Sequence, residues 1–509
     1  MKIYDFSKRE LTEMPLINES SKFEYILDNN LITQIEEIPQ NCSKLSLSNN
    51  KISFINSKFL SDLQIKYLDL SFNRIISLIG FEKFSLLEEL NLSNNYIGDD
   101  QLNYLSSLSK LKSLNLSNNN LKNEEIKKVI YSIKSLQKIN LSNNNIERLI
   151  FDKSNGLIEL ELDNNKLNYL SFNTKNNPFN YMMYLSANEN SLQAIENINN
   201  LINLEYLSLS VNELKQINIQ KLTKLKYLQL KSNLIENLTI HKSNKLLQYI
   251  DVSFNNINSF VIMGECSSLK NLILDNNKLT NIKFEENQNI NDNINKFKNL
   301  ELLEISFNLI SNIKFLIVFK NVQKLNISFN NIDNLIDLLS LLKNFNQLKD
   351  LNLMENEFNK NIYNAEALND VIFNNINDYL NSPNVKNMYK SQLMSYRSCI
   401  IININNIACL DNINITKEEK KESMKSSEYK LNLIDLKTSN FSIYNNKNKF
   451  NNNSQENNMF NSNNSKKELN NISDFNNFII DSSISKDGDF NNNDLNLNDI
   501  NNEMILSWI

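Results

Sequence analysis

One spacing governs what this chain can become. It is L-x-L-x-x-N-x-L/I: two apolar residues separated by one, an asparagine three further on, and another apolar residue two beyond that. The asparagine of the pattern recurs at 30, 50, 73, 95, 119, 144, 165, 188, 212, 233, 255, 277, 308, 330 and 356. Fifteen copies at intervals of 20 to 31 residues make an array in which each copy buries its apolar side against its neighbours. Clear copies are YLDLSFNRI (Tyr67 to Ile75), ELNLSNNYI (Glu89 to Ile97) and KLNISFNNI (Lys324 to Ile332).

The stretch LNLSNNNL, Leu114 to Leu121, shows what each copy does. Leu114 and Leu116 are two apart, so on a strand they share the core face, while Asn115 and Ser117 face outward. Stacked strands then form a concave parallel sheet, with the later apolar positions closing the core behind it. Asn119 is expected to turn inward and satisfy backbone groups that no strand or helix occupies, each such bond being worth roughly 1 kcal/mol. Asn118 and Asn120 flank that turn and are expected to tolerate substitution. Intervals of 24 and 25 residues around GDDQLNYLSSL and KNEEIKKVIYSI leave room for short convex helices.

Composition agrees with an array whose turns rest on asparagine, since 509 residues include only 5 glycines and 4 prolines. Hydrophobic residues make up 41%, and the net charge of −5 gives no general attraction for nucleic acid or anionic membrane. Cys42, Cys266, Cys399 and Cys409 lack disulfide-framework or zinc spacing, so reduced, mostly buried thiols are expected. The N-terminus MKIYDFSKRELTEMP has no apolar signal core, and no stretch approaches 18 apolar residues. A soluble, cytoplasmic protein is the expectation, with nuclear, cytoskeletal or axonemal sites as alternatives. Sequons such as Asn91-Leu-Ser93 and Asn326-Ile-Ser328 then stay unmodified.

These residues resemble the leucine-rich repeat family, which implies an α/β solenoid: a curved horseshoe with a concave parallel sheet and convex 3-10 or short helices. NRIISLIGFEKFSLLEELNL, Asn73 to Leu92, places Ile75, Leu78, Phe81, Phe84, Leu87 and Leu90 three apart. That resembles the 22-residue subclass typified by the leucine-rich regulatory subunit of protein phosphatase 1. Ser382 to Lys420 resembles the C-terminal cap of the same subclass, through Tyr396-Arg397, Leu410-Asp411, Thr416 and Glu418-Glu419. Two departures are an asparagine, Asn405, where the family usually has proline, and the intervening residues 359–381.

The organisation expected is an N-terminal capping repeat at 1–23, where YDFSKREL puts Arg9 in the asparagine position, then repeats at 24–358. An insertion plus C-terminal cap follows at 359–420, then an asparagine-rich disordered tail at 421–509. EENQNINDNINK is read as a surface loop, and NEMILSWI as residual composition of the tail.

No catalytic constellation stands out. The chain has a single histidine, His241, read as a surface residue, and its five glycines are isolated, so no phosphate-cradling loop exists. Glu159, Glu161 and Asp163 alternate on the outward strand face; three carboxylates so placed can hold a cation or do acid-base work, against the plainer reading of an acidic patch. No metal or cofactor is expected.

Function is sought on the concave wall. The residue six before the asparagine is Tyr206, Tyr227 and Tyr249 in three successive repeats, with Tyr184 offset by two in the repeat before. Strands about 4.8 Å apart make these an exposed stripe, either a binding surface or a ladder of mutually packed rings. Gln229, Lys231 and Asp251 are its expected polar rim, and the acidic trio its border. Phe72, Phe254, Phe307 and Phe329, each just before an asparagine, are expected to pack at the sheet edge. The expectation is a monomeric, non-enzymatic scaffold for protein partners, as a phosphatase-regulatory or axonemal/cytoskeletal assembly subunit. The alternative is a spliceosomal-type ribonucleoprotein component, against which the acidic balance counts.

Overall fold

Every copy of the spacing forms a short strand, and each strand pairs in parallel with the next in chain order, from Phe23–Ile26 to Asp350–Asn352. The computed structural model describes residues 1–425 except 56–62, 123–124, 154–155, 174–178, 286–292, 361, 363–372, 381–389 and 405. These lie in one unit, Met1–Ser439, and the second unit, Asn440–Ile509, is outside the described residues. Lys2–Asp5 extends the sheet at the start. Cys409–Leu410 and the antiparallel Ile413–Asn414 end it, giving 18 strands.

The register is fixed by period-two burial. Leu90, Leu114 and Ile139 lie opposite one another and are enclosed, while Asn91, Asn115 and Asn140 line the other face. Behind the sheet, Ile75, Leu78, Phe81, Phe84 and Leu87 are buried, as their spacing requires. The longer intervals hold a 3-10 helix, Asp99–Leu105, and an α-helix, Ile126–Ser132. Elsewhere the convex side differs from expectation: Arg148–Phe151, Tyr169–Phe172 and Ile195–Glu196 form a small parallel sheet, as do Asn237–Ile240, Ser259–Ile262 and Lys283–Phe284. Alternating apolar residues such as Leu238 and Ile240 suit a strand better than a helix there.

The asparagine ladder joins each repeat to the one before. The Asn119 amide donates to its own turn at Leu116 O (3.1 Å) and Ser117 O (3.2 Å), and back to Leu92 O (2.9 Å). Its Oδ1 accepts from Ile97 N at 2.9 Å. The same set recurs at Asn233, where Nδ2 donates to Leu209 O and Leu230 O and Oδ1 accepts from Leu214 N.

One rung of the ladder lies two residues from its expected place. Asn190, not Asn188, donates to Leu162 O (3.0 Å) and accepts from Leu167 N (2.9 Å). Ala187 fills the second apolar position and is fully buried, as is Met182. A small residue where leucine is usual shifted the apparent frame by two.

The residue before each ladder asparagine adopts left-handed backbone geometry, with φ between 49° and 58° from Asn29 to Glu355. Asparagine tolerates it at Asn94, Asn118 and Asn143, so Asn118 is not a free position. Phe72, Val211, Phe254, Phe307 and Phe329 adopt it too, at a cost of about 1–2 kcal/mol each. Phe72, Phe254 and Phe307 are exposed; Phe307 nevertheless packs as expected, stacking on the half-buried Phe329.

At the far end, the helix Lys390–Asn403 closes the core. The Tyr396 hydroxyl donates to Asp411 Oδ2 (2.9 Å) and accepts from Asn359 Nδ2 (3.1 Å), and Asp411 Oδ1 accepts from Leu353 N (2.7 Å). Thr416 Oγ1 accepts from Glu419 N at the start of the helix Lys417–Lys425. That helix continues past residue 420, where the tail was expected to begin, and buries Ser423 against Ser398. The rest of the expected tail (426–509), Asn405, and most of the 285–296 loop and of 359–381 lie outside the described residues.

Candidate protein-binding wall

Tyr184, Tyr206, Tyr227 and Tyr249 lie directly opposite one another on four adjacent strands. Tyr184 is therefore in line with the others, because its repeat is framed on Asn190. The rings of Tyr184 and Tyr206 stack at 4.4 Å and 6°, and the following pairs stand at 6.1 and 6.4 Å. The stripe is continuous but half-buried, not freely exposed as expected, because each ring covers its neighbour. Burial raises the pKa of Tyr184, Tyr206 and Tyr249, the last to about 12, so these three keep their protons at neutral pH.

The expected rim is partly spoken for within the chain. Gln229 Oε1 accepts from the Tyr206 hydroxyl (3.0 Å) and Ser208 Oγ (2.9 Å). Asp251 Oδ1 accepts from Ser253 N and Oγ. Lys231 lies over the Phe254 ring at 5.4 Å, in a favourable cation-aromatic geometry.

Glu159 and Glu161 stand opposite Tyr184 and Ser186, so the acidic trio does border the stripe. It is not a plain solvent-facing patch. Asp163 Oδ1 accepts from Ser186 Oγ and Asn188 N at 2.7 Å, Glu159 pairs with Lys138 at 3.1 Å, and Glu161 accepts from Asn140. Burial, reinforced by Glu159 and Asp163, pushes the Glu161 carboxyl up to about 7.

A second carboxylate group brackets the stripe on its other side. Asp251 and Glu304 lie on either side of Ile273, two residues from Asp275. Burial first, then Asp275 and Asp251, push the Glu304 carboxyl up to about 7, and burial raises Asp275. Sequence reading missed Asp275 and Glu304. Aligning all three outward positions across repeats, rather than the tyrosine position alone, is the signal that finds them.

No protein-family model matches the chain. The structure resembles that of a leucine-rich repeat protein of Leptospira interrogans, with a TM-score of 0.52, 21% identity, and coverage of 69% of this chain and 90% of that one. The fold is a leucine-rich repeat solenoid. In sequence the solenoid is similar to lumican of Rattus norvegicus, 30% identical over an alignment of 217 residues that covers 41% of this chain and 63% of lumican. The match thus spans less than two thirds of that relative's length.

Across seven repeats, from Glu159 to Ser306, the wall-facing positions of the solenoid carry six carboxylates and a single cation, Lys231. Aromatic area with hydroxyl donors between two groups of carboxylates suits the capture of a protein surface or peptide. Among the described residues no cluster of His, Cys, Asp or Glu has the geometry of a metal site. His241 lies away from the stripe, lining an open convex cavity of about 430 Å³ with Lys215, Glu236 and Thr239.

Proposed function

We propose that this solenoid is a non-enzymatic scaffold that holds protein partners against its concave wall, with the tyrosine stripe at the centre of the contact. The observation that carries this reading is the alignment of Tyr184, Tyr206, Tyr227 and Tyr249 on adjacent strands between two groups of carboxylates. A rigid aromatic row gives large contact area with few rotors to freeze. Within this reading, Tyr396-Arg397, Leu410-Asp411 and Thr416/Glu419, all engaged in the closing segment, favour the phosphatase-regulatory or axonemal subclass. The buried, unpaired Cys42, Cys266, Cys399 and Cys409 favour a reducing intracellular setting.

Co-purification of partners with the full chain from its native cells, compared with Tyr227→Ala/Tyr249→Ala, tests the scaffold. Partners held by the wall are lost in the double variant. Retention of every partner overturns the stripe as the contact. Catalytic turnover by the purified chain overturns the non-enzymatic reading.

A further inference from the structure

We propose that Phe254, Phe307 and Phe329 form a docking rim for an extended segment of a protein partner in which Lys or Arg alternates with aliphatic or aromatic residues. The rings of the rim lie outside the tyrosine stripe, whereas its carboxylates, Asp251, Asp275 and Glu304, border both, so substitutions of the rings and of the tyrosines tell the two readings apart.

With its asparagine on the ladder, the tripeptide Ser-Phe-Asn occurs at 71–73, 253–255, 306–308 and 328–330; a fifth, at 171–173, lies on the convex strand with Phe172 buried and is no part of the series. In each of the four ladder copies the serine and the asparagine are buried. The phenylalanine between them is 56% exposed at Phe72, 39% at Phe254 and 47% at Phe307. These rings occupy a left-handed position that asparagine fills in seven other repeats, from Asn29 to Asn276. A bulky side chain there gives up conformational ease without gaining a core contact, which points to a use outside the fold.

Three of the four copies gather toward the end of the array. Phe307 and Phe329 stack at 4.0 Å and 9°, and Leu309, 49% exposed, lies two residues from Phe307. Phe254 is separated from Phe307 by one repeat, whose Asn276 holds the same position, whereas Phe72 lies eight repeats before Phe254 and takes no part.

Charge selects the occupant. The carboxylates of Asp251 and Asp275 are tied to the serines that precede Phe254 and Phe307: Ser253 Oγ donates to Asp251 at 2.7 Å, and Ser306 N and Oγ donate to Asp275 at 2.6 and 2.7 Å. Glu304 lies two residues before Ser306. A segment laid along the rim thus has the rings beneath it and the carboxylates of Asp251, Asp275 and Glu304 on the strands beside it, and cations between its own apolar residues answer both.

The test is a displayed library of random peptides of about twelve residues, selected on the full chain, with the enriched peptides then synthesised and titrated by fluorescence anisotropy. Enrichment of peptides with Lys or Arg next to apolar residues is expected, with binding that weakens as salt rises. Phe307→Asn/Phe329→Asn should weaken them about tenfold or more with Tm unchanged or higher, and Asp251→Asn/Glu304→Gln by a similar factor. Tyr206→Ala/Tyr227→Ala should leave them within about twofold. Enrichment of acidic or neutral peptides overturns the proposal, as does failure to enrich any. Undiminished binding to Phe307→Asn/Phe329→Asn overturns it too, and a fall in the Tm of that variant assigns the rings to the fold instead.

Discussion

Arg397 and Glu419 meet in a two-pronged ion pair, Nε to Oε1 at 2.7 Å and Nη2 to Oε2 at 3.2 Å, with the guanidinium fully enclosed. Nη1 also donates to Leu410 O at 3.0 Å. The pair locks together two helices of the closing segment that are distant in sequence. Removing one partner strands the other charge without solvent, so Arg397→Ala should cost about 3–5 kcal/mol. Urea denaturation measures the loss. Hydrogen exchange should accelerate first in Lys417–Lys425, and unchanged protection there would show that the pair does not hold the segment.

The ladder makes a sharp comparison possible between neighbours of one residue type. Asn119→Ala removes four hydrogen bonds and leaves Ile97 N without its acceptor, for a loss of about 2–4 kcal/mol. Asn118→Gly should be nearly neutral, because glycine accepts left-handed geometry, whereas Asn118→Val should cost about 1–2 kcal/mol. Thermal melts of the three variants, run side by side, check the order.

The same strain can be relieved elsewhere. Val211 is β-branched, exposed and left-handed at φ 55°. Val211→Asn should raise stability by about 1 kcal/mol, read as an upward shift in Tm.

Glu161 and Glu304 give a pH dependence of unusual sign. Each carboxyl is pushed up to about 7 from an ordinary 4.5, so the folded chain binds these protons more tightly than the unfolded chain. Their contribution favours the fold at low pH and is lost as pH rises from about 4.5 to about 7. Tm of Glu161→Gln/Glu304→Gln should therefore fall less than that of the parent between about pH 5.5 and pH 8. Identical slopes would show that the two carboxyls titrate normally.

The strands, their core positions and the ladder were legible in the sequence because one short pattern dictates all three. Legibility failed where a residue departed from the pattern for local reasons. Ala187 disguised the frame of its repeat and so hid that Tyr184 aligns with Tyr206. The exposure of Phe307 was not readable, because a ring beside a buried asparagine is equally consistent with an edge contact. Glu304 was missed because its burial and its proximity to Asp275 arise only when strands 20 to 30 residues apart in sequence are laid side by side. Burial by neighbouring rings also had to be seen, since alternation alone marks the tyrosine face as open to solvent.

Beyond its own turn, the side chain of Asn119 reaches only backward: to Leu92 and Ile97 of the preceding repeat, never to the one that follows. The two ends of the solenoid are therefore not equivalent. Peeling repeats from the N-terminal side uncovers side-chain amides that water can serve. Peeling from the C-terminal side uncovers main-chain groups inside the wall, each of which had relied on its successor. Such an array can begin with a plain strand such as Lys2–Asp5, but it has to finish in a segment bringing fixed polar groups of its own, as Asp411 does for Leu353. The heavier construction at the C-terminal end follows from the direction in which fifteen asparagines point.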